Sequence, residues 1–74
     1  MKYYCVTSIV YDRGINVDIT SIVDADKKPK NTYRYFTDRD VYNDWFDSLE
    51  KAKEFCKYGE AMYEAYENAM RNRY

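Results

Sequence analysis

The sequence predicts an α+β domain: a four-stranded antiparallel β-meander packed against one long C-terminal α-helix. Two observations carry this. All eight Asp fall within residues 1–47 and all five Glu within residues 48–74. Asp competes for backbone hydrogen bonds and favours turns and caps, whereas Glu is a good helix former, so the switch marks a change from sheet to helix near position 47. The second observation is periodicity, which passes from strict alternation over residues 15–20 to steps of three and four after residue 48. The 74 residues form one domain, 1–74, with sheet over 1–47 and an amphipathic helix over 48–74.

Each strand has its own justification. Residues 2–11 are β-branched and aromatic, as a strand requires. Asp12-Arg13-Gly14 reads as a three-residue hairpin loop, with Gly14 taking the left-handed conformation. The second strand, 15–23, puts Ile15, Val17 and Ile19 on one face and Asn16, Asp18 and Thr20 on the other. A polar loop with the only Pro follows over 24–31. A third strand, 32–37, then meets a tight turn at Asp38-Arg39-Asp40, and a fourth strand covers 41–46. The expected core joins Ile15, Val17 and Ile19 to apolar residues of the outer strands and to Leu49, Ala52, Phe55 and Cys56.

The helix, 48–72, opens on Asp47 as cap, with Glu50 completing a capping box. Leu49, Ala52, Cys56, Gly59, Tyr63, Tyr66 and Met70 recur at alternating steps of three and four, and Phe55, Met62 and Ala69 widen the stripe. Such a helix spans about 37 Å at ~1.5 Å per residue, whereas a four-stranded sheet is only about 15–20 Å across at ~4.8 Å per strand. The last turns overhang, yet the apolar stripe does not stop where the sheet does. Met62, Tyr63, Tyr66, Ala69 and Met70 are therefore the expected protein interface, closed most simply by a second copy in a homodimer. A break and fold-back at Gly59, or docking of a different protein, are the alternatives.

Composition excludes several activities. There is no His, so the side chain best suited to proton transfer near neutral pH is missing. Cys5 and Cys56 have no second Cys or His at ligand spacing and read as two buried thiols rather than a zinc site or a disulfide. The run Asp38, Asp40, Asp44 and Asp47 lacks the central Gly of a calcium loop, and turn and capping roles explain it. Gly14 and Gly59 are isolated, so no phosphate-binding loop exists. The expectation is a non-enzymatic chain with no metal and no cofactor. No apolar run reaches the roughly 18 residues that cross a bilayer. The start mixes polar and apolar residues unlike a signal peptide, so a cytoplasmic protein without membrane contact is expected.

A net charge of −1 argues against a general nucleic-acid binder. Ten Tyr stand against three Phe and one Trp, more phenols than so small a core can satisfy, so several rings must sit on the surface. Tyr offers large contact area with few rotatable bonds. The strand tyrosines on the face away from the helix are the expected exposed set. The functional expectation is a small protein-binding or regulatory module that occludes a partner surface and self-associates through its helix. In size and composition it is like the inhibitors that phages and mobile elements encode. The second reading is a single-stranded nucleic-acid binder using the basic, aromatic segment 27–39, with Lys27, Lys28, Lys30, Tyr33, Arg34 and Tyr35. Alternation there places Tyr33 and Tyr35 on one sheet face and Arg34 and Phe36 on the other.

Overall fold

The computed structural model describes residues 1–71, except for the side chains of Glu60 and of residues 62–71. Strands β1 (Lys2–Tyr11), β2 (Gly14–Asp24), β3 (Thr32–Tyr35) and β4 (Arg39–Phe46) precede a single helix, α1 (Leu49–Arg71). All strand pairs are antiparallel. An α+β domain of four strands and one helix is what the patterning predicts.

The strand order is not the expected meander. It runs β2-β1-β4-β3, so two hairpins lie side by side and β1 pairs with β4 in the middle. Burial accounts for this arrangement: β1 carries Tyr3, Cys5, Val6 and Ser8, all buried, whereas every residue of β3 is exposed. A strand buried on both faces belongs inside the sheet. The polar linker 25–31 can cross from edge to edge, because seven extended residues reach about 23 Å and three strand spacings need only about 14 Å.

The turns also differ from expectation. Tyr11 pairs with Gly14, so the first hairpin closes on Asp12-Arg13 alone. No described residue has a positive φ, Gly14 included. The second turn lies two residues earlier than expected, closed by Phe36 N–H donating to the Arg39 carbonyl at 2.8 Å. Arg39 is held in β4 by its neighbours: its guanidinium lies 4.7 Å from the centre of the Phe36 ring and 3.1 Å from the Asp38 carboxylate.

At the helix start Ser48, not Asp47, is the cap. Lys51 N–H donates to Ser48 Oγ at 3.2 Å, while Asp47 reaches forward to the Lys51 ammonium at 3.1 Å. The two adjacent residues are both good caps, and the ion pair takes Asp47 away from the backbone. Glu50 lies in the first turn, where a negative charge suits the helix dipole.

Among the described residues the helix crosses β2 and β1, touches β4 and does not meet β3. Val6, Val17 and Ala52 form the buried centre, ringed by Tyr4, Ile15, Ile19, Phe46, Phe55 and Cys56. Leu49, expected in the core, is exposed, because it precedes the point where the helix settles on the sheet. Cys5 is a buried thiol and Cys56 a half-buried one, not joined in a disulfide. Cys56 packs at the core, whereas Cys5 alternates with Val6 and so faces the other side of the sheet, which rules out a bond between them within one chain.

Gly59 continues the helix rather than breaking it. A Cβ there would meet Val17 Cγ2 at 3.7 Å, an ordinary contact. Gly59→Ala is therefore expected to stabilise the fold by about 1 kcal/mol through helix propensity, raising Tm by roughly 4–8 °C in a domain this small. A lower Tm in a calorimetric scan would mean that the helix does not run through this position as described. Beyond Gly59 the helix runs on to Arg71, about 18 Å more at ~1.5 Å per residue, and the chain measures 50 Å along its longest axis. The expected interface residues Met62, Tyr63, Tyr66, Ala69 and Met70 lie on this extension, outside the described side chains.

Candidate functional site

The register decides which rings share a face. Tyr4 and Val6 point to the helix, and their partners on β4 are Phe46 and Asp44, followed by Tyr42 and Asp40 opposite Ser8 and Val10. Tyr42 and Asp40 in turn face Tyr33 and Tyr35 of β3. Tyr33, Tyr35 and Tyr42 thus stand on the helix side of the sheet, but on the half that the helix does not reach. Tyr33 and Tyr35 are each 65% exposed. Their ring centres lie 5.1 Å apart, and Tyr35 meets Tyr42 edge-on at 6.3 Å, geometries that favour aromatic pairs. The cluster is an aromatic surface held in one arrangement by one contact along β3 and one across to β4.

The helix supplies a second aromatic group on the same side. Phe46 and Phe55 pack with centres 5.1 Å apart. Together with Lys51, Glu54 and Tyr58 they line an open hollow of about 430 Å³. Tyr58 is exposed. Asp44 lies between the two aromatic groups along β4, two residues from Tyr42 and two from Phe46.

The electrostatics follow from this placement. Loss of hydration raises the Tyr42 pKa above the ordinary tyrosine value, and the neighbouring Tyr35 phenol and the Asp40 carboxylate push it the same way. Its hydroxyl therefore stays neutral, and able to donate, at physiological pH. Partial burial raises the Asp44 pKa, with Lys28 pulling it back. The hydrogen bond and charge of Lys51 lower the Asp47 pKa.

The signs of the two carboxylates are opposite. Ionised Asp44 is disfavoured in the folded state, so Asp44→Asn should raise Tm at neutral pH, and the gain should vanish as acid protonates the wild-type carboxyl. Asp47 contributes stability above its unfolded pKa, which is lost as pH falls through its lowered folded value. In a carbon-detected NMR titration Asp44 should protonate at a higher pH than Asp47, and the reverse order would refute this assignment.

The outer face is built differently. Thr7 Oγ1 donates to Asn43 Oδ1 at 2.7 Å, and Asn43 Nδ2 donates to Thr32 Oγ1 at 3.2 Å. Thr7 has one proton to give, so Thr20 is the donor in the 2.7 Å contact between the two threonine hydroxyls. One directed row of hydrogen bonds therefore crosses all four strands. Beside it Ile9, Arg34, Phe36, Arg39 and Val41 line an open depression of about 580 Å³.

The residues expected to bind a nucleic acid are not brought together. Tyr33 and Tyr35 rise on the helix side while Arg34 faces the outer side with Phe36. Of the exposed strand tyrosines, Tyr33 and Tyr35 lie on the opposite face from the one expected, whereas Tyr11 lies on the outer face as expected. Tyr3, on the outer face, is buried, with its hydroxyl on the Met1 sulfur at 3.3 Å. The sequence alone does not mark Tyr42, Phe46 and Tyr58 as site residues, because their role depends on which half of the sheet the helix leaves open. Alternation within β4 does place Tyr42 and Phe46 on one face, and that is the signal a strand order would have made usable.

Among the described residues no group of three or more His, Cys, Asp or Glu is close enough to hold a metal ion. None of their helices is long and apolar enough to cross a membrane. Comparison with known protein families, curated proteins and solved structures finds no match, so the site rests on its own geometry.

Proposed function

We propose that this chain is a non-enzymatic protein-binding module that acts by occlusion, laying its aromatic surface over a partner and blocking it. The observation that supports this most directly is the mutually packed set of exposed Tyr33 and Tyr35 with half-buried Tyr42, on the half of the helix side that the described residues leave open. Amphipathic rings fixed by neighbours lose little conformational freedom on binding, which is why Tyr is enriched at interface hot spots. The hollow beside Phe46, Phe55 and Tyr58 extends the same surface. The helix beyond Gly59 supplies the self-association face, since it carries on past the sheet to Arg71.

The test is affinity capture with the immobilised chain from extracts of cells that encode it. A specific protein held by the wild type should be lost with Tyr33→Ala plus Tyr35→Ala while the thermal melt is retained. Retention of that partner by the double variant would refute the aromatic surface as the docking face. Light scattering on the same samples reads the mass, and a single-chain mass at all concentrations would remove self-association.

A further inference from the structure

We infer that the outer edge of β3 is a pairing edge for an extended segment of another protein, one that alternates acidic with apolar residues. The inference deepens the protein-binding proposal and rests on it.

A four-stranded open sheet has two edges, here β2 and β3, and they are treated differently. Along β2 the register shifts opposite Cys5 and Val6, leaving Thr20 without a partner as a bulge. The Asp18 carboxylate accepts the Ile19 backbone N–H at 3.1 Å, and Asp24 holds the N-terminal ammonium at 3.0 Å. Bulges, charges and self-satisfied amides are the devices that blunt an edge. Along β3 there is no bulge and no self-satisfied amide, and its one charge is Arg34. Thr32–Tyr35 keep regular register with Asn43–Asp40, contain no Pro, and are exposed throughout. Among the described residues no hydrogen bond reaches their outward backbone groups. An edge left open in this way is a template for one more strand.

The side chains say what the added strand should carry. On the helix side Tyr33 and Tyr35 offer ring faces to apolar residues at alternate positions. On the outer side stands Arg34, and Lys27 and Lys30 lie just before it in the chain; none of the three has an ion-pair partner among the described residues. Acidic residues at the intervening positions would meet this charge. A second copy at the same edge would instead set these cations against their equivalents. A single-stranded nucleic acid would find its stacking rings and Arg34 on opposite faces, and it has no alternating amide and carbonyl groups to complete the ladder.

The probes are short peptides alternating Glu with Val, their Lys–Val counterparts, and a Glu–Val peptide N-methylated along one edge, each titrated into the full chain by NMR with hydrogen exchange on β3. The Glu–Val peptide should protect outward amides within Thr32–Tyr35, and the N-methylated form should not. Arg34→Glu, an exposed change, should weaken the Glu–Val peptide roughly tenfold and strengthen the Lys–Val one. The inference is overturned if N-methylation has no effect, if Glu–Val and Lys–Val bind equally, or if protection maps away from β3. It also falls if oligo-thymidylate binds this edge in preference, or if the chain alone dimerises through it. Any of these results alongside a partner that still depends on Tyr33 and Tyr35 removes edge pairing only; loss of that dependence removes the broader proposal.

Discussion

Ala52→Asp is expected to abolish the folded state. Ala52 is fully buried on the helix face that meets Val6 and Val17, with no polar group in that centre. A carboxylate placed there has neither partner nor water, which costs several kcal/mol after relaxation. A single core in a chain this short supplies roughly 3–5 kcal/mol in total, so the penalty matches or exceeds the whole. Circular dichroism should show no cooperative melt for this variant, whereas Lys53→Ala, on the exposed side of the helix, should melt as the wild type does. A cooperative transition near the wild-type Tm in Ala52→Asp would show that the helix does not seat on β1 and β2 through this residue.

The second large effect is on binding rather than folding. Truncating a central interface tyrosine costs about 2–4 kcal/mol. Tyr33→Ala with Tyr35→Ala should therefore weaken a captured partner by roughly two to three orders of magnitude. The pair will fall short of the sum of the single changes, because the two rings touch and each supports the other. Both are exposed on an edge strand, so the stability of the isolated chain should move by only about 0.5–1 kcal/mol. Tyr42→Phe keeps the ring and removes only the hydroxyl, so it should lie between wild type and the double variant. A dissociation constant unchanged in the double variant would place the docking surface elsewhere.

Much of the architecture was legible in the residues themselves. The clean alternation of Ile15, Val17 and Ile19 marked a half-buried strand, and the three-and-four stripe from Leu49 onward marked the helix. The split of Tyr33 and Tyr35 from Arg34 followed from strand geometry alone. Strand order did not follow. Hairpin signals report only which neighbours in sequence pair, whereas the contact of β1 with β4 joins segments whose loops would also allow a meander. That one long-range pairing decides where the helix lies, and so which tyrosines stay uncovered. At both local departures tertiary partners decide: Lys51 takes Asp47 and leaves the equally good cap Ser48 to the backbone, and Phe36 and Asp38 hold Arg39 in β4.

The central position of β1 also sets the order of events during synthesis. Of the four strands β1 is made first and finds β2 at once, but its other edge stays open until residues 39–46 have been made. Until then β1 and β2 form a lone hairpin, marginal in water, with the greasiest strand half unpaired. Completion therefore waits on distant sequence, so nascent chains cut short before β4 are the species most exposed to misassembly.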